Sequence, residues 1–119
     1  MRGRKDDLIR LRHMLDYAGK AVKFTRGLSR SDFESDEVRA LATIHAIEIL
    51  GEAASSISLD LRRRHPHIPW DLISGTRNRL IHGYIDTDLD IIWSIIKQDL
   101  PPLIKNLERI ISNEGSRNK

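Results

Sequence analysis

The chain has 119 residues, 31% of them charged and 39% hydrophobic, with 5% aromatic residues and no cysteine. That length suits one domain around a single core, and the missing cysteines exclude disulfides, thiolate zinc sites and thiol nucleophiles. Twenty Lys and Arg against seventeen Asp and Glu leave a formal charge of +3, mixed enough in sign to permit nucleic-acid contact without demanding it.

The first periodic run is Leu8, Leu11, Leu15, Ala18 and Val22, whose steps of three and four residues form one helical stripe. Gly27 supplies a stop for this helix just after Thr25. Ser31-Asp32-Phe33-Glu34 has capping-box spacing and predicts a long helix running to about Leu61. Its two apolar stripes, Ala40/Ile44/Ile47/Gly51/Ala54 and Ala42/Ala46/Ile49/Ala53/Ile57, mark it as the central helix of the fold. The stretch Arg62-Arg63-Arg64-His65-Pro66-His67-Ile68-Pro69, broken twice by proline, reads as a basic connector. From Pro69 a third helix is expected over Trp70 to about His82, with Gly83 as its C′ residue.

Thr87, with Asp90 three positions on, opens the last helix, where Leu89, Ile92, Ile96, Leu100, Leu103, Leu107 and Ile110 keep one stripe. Pro101-Pro102 removes two backbone donors and must kink or split that helix. The polar tail from about Asn113 is expected to fray. No run alternates like a half-buried strand, so the expected fold is an all-α, up-down bundle of four main helices in one domain over residues 1–119. The longest apolar-rich stretch, Ile91-Ile92-Trp93-Ser94-Ile95-Ile96, falls far short of the roughly 18 residues of a membrane span. The start of the chain carries no apolar run, so a cytoplasmic protein without membrane attachment is expected.

Serine-nucleophile motifs, glycine-rich phosphate loops and zinc-type spacings are absent. His65 and His67 flank a proline behind three arginines, without a neighbouring carboxylate, and read as structural or solvated rather than as metal ligands. His13 and His45 lie in amphipathic helices and read as partly buried histidines satisfied by a neighbour. The dense cluster is Arg77-Asn78-Arg79-Leu80-Ile81-His82-Gly83-Tyr84. Read blandly, it is a basic helix end that favours the C-terminal dipole. Read chemically, it holds the parts for metal-free attack on an RNA phosphate by its own 2′-hydroxyl. Arginine forks match phosphate oxygens, an imidazole exchanges protons near neutral pH, and Asn78 can orient either one. At 100° per residue Asn78 and His82 lie within about 40° of each other, whereas Arg77 is about 140° from His82. Within one helix, then, Arg77 and His82 do not converge neatly: either the long Arg77 side chain wraps around, or the helix is irregular, or a second subunit supplies the partner.

The spacing Arg77, four residues, His82, one residue, Tyr84 resembles the Arg-x4-His-x-Tyr motif of HEPN-domain toxins. Ile49-Leu50-Gly51-Glu52-Ala53, Ile68-Pro69-Trp70 and Asp99-Leu100-Pro101 extend the likeness to the HepT-like branch, over about Leu8 to Ile111. The resemblance implies a small helical homodimer that is a metal-independent endoribonuclease with no cofactor of its own, the toxin of a type VII-like toxin–antitoxin system. By position, Arg77 would hold phosphate, Asn78 would assist, His82 would be the acid/base, and Tyr84 would receive AMP from a partner minimal nucleotidyltransferase, the antitoxin. The implied dimer would let Arg77 and His82 meet across a two-fold axis. Glu52 is read either as a buried partner of Arg77 or Arg79 or as a helix-packing residue. The alternative to an enzyme is a non-catalytic, HEPN-like dimer that binds nucleotides or serves as a scaffold for a nucleotidyltransferase. A plain nucleic-acid binder is disfavoured by the scarcity of stacking aromatics.

Overall fold

A computed structural model describes residues 4–80 and 88–117, with side chains over 6–75 and 88–115. Helix α1 spans Arg4–Phe24. It buries Leu8, Leu11 and Ala18 of the expected stripe, together with Met14 and Ala21. Its end is made locally. The Thr25 hydroxyl donates back to the carbonyls of Ala21 and Val22, both at 3.1 Å, and Gly27 turns the chain at φ 79°.

The expected single long helix is three helices: α2 (Arg30–Ser35), α3 (Glu37–Ser55) and α4 (Leu59–Arg64). The capping box forms two residues earlier than Ser31. The Asp32 N–H donates to Ser29 Oγ at 3.0 Å, and the Ser29 N–H donates to the Asp32 carboxylate at 3.2 Å. This start turns Phe33 fully inward, with its ring 5.4 Å from that of Trp93. Asp36 then caps α3 by accepting from the Arg39 N–H at 3.1 Å. A break at Ser56 separates α3 from α4, which Ser58 caps by accepting from the Leu61 N–H at 3.3 Å.

Helix α3 packs against both α1 and α5 (Trp70–Leu80), and α1 also packs against the last helix. Both expected stripes are used: Ala40, Ile44, Ile47 and Ala54 on one, and Ala46 and Ala53 on the other, are buried, as is Ile57 just past the end of α3. The last long helix is α6 (Leu89–Ser94), a π-helical segment (Ile95–Asp99) and α7 (Leu100–Arg117) in succession. Its stripe from Ile92 to Ile110 is buried throughout and closes the core. Among the described residues every regular element is helical, so the fold is the expected all-α bundle, with α1, α3, α5 and α6–α7 as its four main helices.

The proline pair has the expected disruptive effect, displaced toward the N-terminus. Each proline ring crowds the carbonyl four residues back, here those of Lys97 and Gln98. The turn before them widens, and the Leu100 N–H reaches back five residues to the Ile95 carbonyl. Other expectations need correcting. Helix α7 does not fray at Asn113 but continues to Arg117, because the Glu114 side chain is buried against Arg64 and His65. His13 and His45 are exposed, not partly buried. Asp88 caps α6, accepting from the N–H groups of Asp90 at 2.8 Å and Ile91 at 3.4 Å, whereas Thr87 lies outside the described residues. Among the described residues no helix is long and apolar enough to cross a membrane.

Candidate active site

Helix α5 carries the start of the motif, and the chain fastens it at its beginning. The Pro69 carbonyl accepts the first helical N–H, from Ile73 at 3.0 Å. Trp70 is buried, and its indole N–H donates to the His65 carbonyl at 3.0 Å. That bond ties α5 to the end of α4, while α5 packs along α3. The backbones of Arg77 and Asn78 lie on α5, two turns after Trp70. Their side chains, and all of His82 and Tyr84, lie outside the described residues. Glu52, read either as a buried partner of Arg77 or Arg79 or as a helix-packing residue, is exposed on α3.

The short helix α4 is held at both ends by buried carboxylates. At its N-terminus Asp7 of α1 accepts from the Ser58 N–H at 3.0 Å and from the Ser58 hydroxyl at 2.6 Å. At its C-terminus Glu114 of α7 takes Arg64 at 3.2 Å and His65 at 3.3 Å. Negative charge at a helix start and positive charge at its end also suit the helix dipole. Arg62 works in the other direction, donating to the carbonyls of Ile57 and Ser55 at 3.1 and 3.0 Å and so capping the end of α3. The arginine run that reads as part of a basic connector is therefore the end of a six-residue helix, with two of its guanidinium groups committed to internal contacts. His65 has the structural role expected of it, and His67 is exposed, its ring 6.0 Å from that of His65.

On the far side of the undescribed stretch, Arg30 binds Asp90 through Nε at 2.8 Å and Nη2 at 2.7 Å, linking α2 to the start of α6. The helices on either side of the motif are thus each tied to another part of the fold.

Beside α5 lies a cleft of about 300 Å³. Ile47 and Leu50 of α3 and Leu100 and Leu103 of α7 form its buried floor. Leu72 and Ile73 of α5 and Ile95 of the π segment wall it, and His67, Gln98, Asp99 and Asn106 contribute its polar groups. A signal did exist in the sequence: Asp99 precedes the proline pair that distorts the helix. Nothing local, however, tells that four segments converge there.

The family profile described as "Ribonuclease HepT-like" matches residues 14–110. A protein of Thermococcus cleftensis named "Probable ribonuclease HepT" is 39% identical over 88 residues, covering 74% of this chain and 80% of its own. One from Methanocaldococcus jannaschii, "Putative RNase MJ1380", is 36% identical over 95 residues, or 80% of this chain and 87% of its own. A third, "Putative RNase TTE0752" of Caldanaerobacter subterraneus subsp. tengcongensis, is 34% identical over 104 residues, 87% of this chain and 93% of its own. No solved structure matches the chain.

Proposed function

The chain belongs to the HepT-like ribonuclease family, and on that premise we propose that it is a metal-independent endoribonuclease whose working residues are Arg77, Asn78 and His82. The observation that carries this reading is the place of the motif. Arg77 and Asn78 ride on a helix anchored by Trp70 and packed against α3, and rigid elements hold catalytic groups better than free loops.

In the proposed reaction His82 removes the proton of a ribose 2′-hydroxyl, and the 2′ oxygen attacks the adjacent phosphorus. Arg77 offsets the charge that builds on the phosphate oxygens, and Asn78 orients the phosphate or the imidazole. The bond from phosphorus to the 5′ oxygen breaks, and that oxygen takes up a proton. The products are a 2′,3′-cyclic phosphate and a 5′-hydroxyl. Because Arg77 and His82 would stand about 140° apart if the helix continued regularly, the reading includes a homodimer in which the pair meets across the two-fold axis.

Tyr84 is the proposed control point. AMP added to its phenol by a partner nucleotidyltransferase would place negative charge beside Arg77 and His82 and block substrate RNA, as in a toxin neutralised by its antitoxin.

The test is cleavage of single-stranded RNA in excess EDTA, with the product ends identified by mass. Cyclic or 3′-phosphate ends and intact DNA controls are expected. Loss of cleavage in EDTA, or 3′-hydroxyl ends, would overturn the mechanism. For the control point, intact mass after co-expression with a nucleotidyltransferase should show AMP adducts on the wild type and none on Tyr84→Phe.

A further inference from the structure

The cleft beside α5 has no part in the phosphate chemistry just described. Resting on the ribonuclease reading, we infer that it seats one base of the RNA strand, next to the phosphate held by Arg77, and that Asp99 ranks the bases.

Its shape and chemistry match a base more closely than a general apolar ligand. A nucleobase is a flat ring with two apolar faces and a polar edge. The cleft has a largely aliphatic floor and walls, with polar side chains contributed by His67, Gln98, Asp99 and Asn106. Its volume of about 300 Å³ stands at the small end of ligand pockets, the size of a single ring system with some water. Leu72 is 60% exposed on one wall, so the cleft opens to solvent as a strand-binding site requires.

Its place agrees as well. Ile73 lines the cleft four residues before Arg77, about 6 Å along the axis of α5. A phosphate held at Arg77 would therefore have its neighbouring base within reach of this wall. Sequence-specific proteins read single-stranded RNA through bases splayed out in this way and bonded along their edges. The π segment supplies Ile95, Gln98 and Asp99 to the cleft, and π turns inside α-helices often occur at functional sites.

Asp99 sets the expected order. A carboxylate only accepts hydrogen bonds. Guanine offers N1–H and N2–H side by side and can bond both carboxylate oxygens. Uracil offers one N–H between two carbonyl oxygens, which the carboxylate repels. Guanine should bind best and uracil worst.

The experiment uses methyl-labelled full-length protein titrated with guanosine 3′-monophosphate and with uridine 3′-monophosphate, for wild type and Asp99→Asn. In parallel, cleavage sites are mapped on a randomised single-stranded RNA. The wild type should show shifts at Leu72, Ile73 and Ile95 at roughly tenfold lower guanosine than uridine nucleotide, the scale of one bidentate base contact. Asp99→Asn, at an exposed position, should keep the fold and lose the difference, and guanosine preference at the cut sites should fall in step. Equal shifts for both nucleotides, or none, would overturn the proposal. So would intermolecular contacts at Leu72 showing that a second copy of the chain fills the cleft. Cleavage with a base preference unmoved by Asp99→Asn defeats the base seat and leaves the ribonuclease reading intact. Guanosine-selective binding without any RNA cleavage upholds the seat and defeats the ribonuclease reading.

Discussion

Where α1, α3 and α7 meet, leucine, isoleucine, methionine and alanine side chains close on one another and leave no solvent route to Leu11, Met14 or Leu107. Where α3, α5 and α7 meet, the same kinds of side chain leave a cleft open to solvent, with Leu72 exposed on its wall. The closed side is fixed by buried charge as well as by packing, through Asp7 on Ser58 and Glu114 on Arg64 and His65. The open side has a widened helical turn and a proline pair. The contrast teaches that one amphipathic pattern serves two ends: on one side it holds the fold, and on the other it leaves an apolar surface for something else to cover.

Identical truncations on the two sides should break the symmetry most clearly. Leu107→Ala removes a fully buried side chain and should cost about 2–5 kcal/mol by cavity formation. Leu72→Ala, at a position 60% exposed, should stay within about 0.5 kcal/mol of wild type. Urea unfolding of both variants measures the difference, and equal losses would erase the distinction between the two sides.

A smaller loss is expected from the clamp on α4. Glu114→Ala leaves Arg64 and His65 without their shared carboxylate and should cost about 2–3 kcal/mol, moderated because Arg64 is partly exposed. The same substitution should loosen the His65 carbonyl that receives the Trp70 indole, visible as faster amide exchange in the first turn of α5. Unchanged exchange there would show that the clamp does not reach the motif helix. Smallest of the three, Ser58→Ala removes the α4 cap and one of two bonds to Asp7, for about 1–2 kcal/mol. A neutral result would mean that Asp7 bonded to the remaining Ser58 N–H is sufficient.

The sequence discloses these regions unequally. The stripe from Ile92 to Ile110 was readable because a helical period continues through the prolines, and the two α3 stripes were readable because that helix is buried on two sides. The division into α2, α3 and α4 was not. Ser29 and Ser31 each have an acidic residue three positions on, and the choice between them accompanies the packing of Phe33 on Trp93, sixty residues away. Glu114 looked like part of a solvated tail because its partners, Arg64 and His65, lie about fifty residues back in the chain. The motif itself is a local spacing and stands out in the sequence. The cleft is assembled from α3, α5, the π segment and α7, so no single stretch of chain reveals it.

The central claim is that the motif following the start of α5 performs chemistry while the closed side of the bundle holds the fold. It is tested most directly by measuring single-turnover RNA cleavage and the urea midpoint together for His82→Ala. The account predicts a rate lower by roughly 10²–10⁴, the contribution typical of a general acid/base, with the midpoint unchanged. Cleavage at the wild-type rate, or a rate loss matched by a fall in the midpoint, would contradict it.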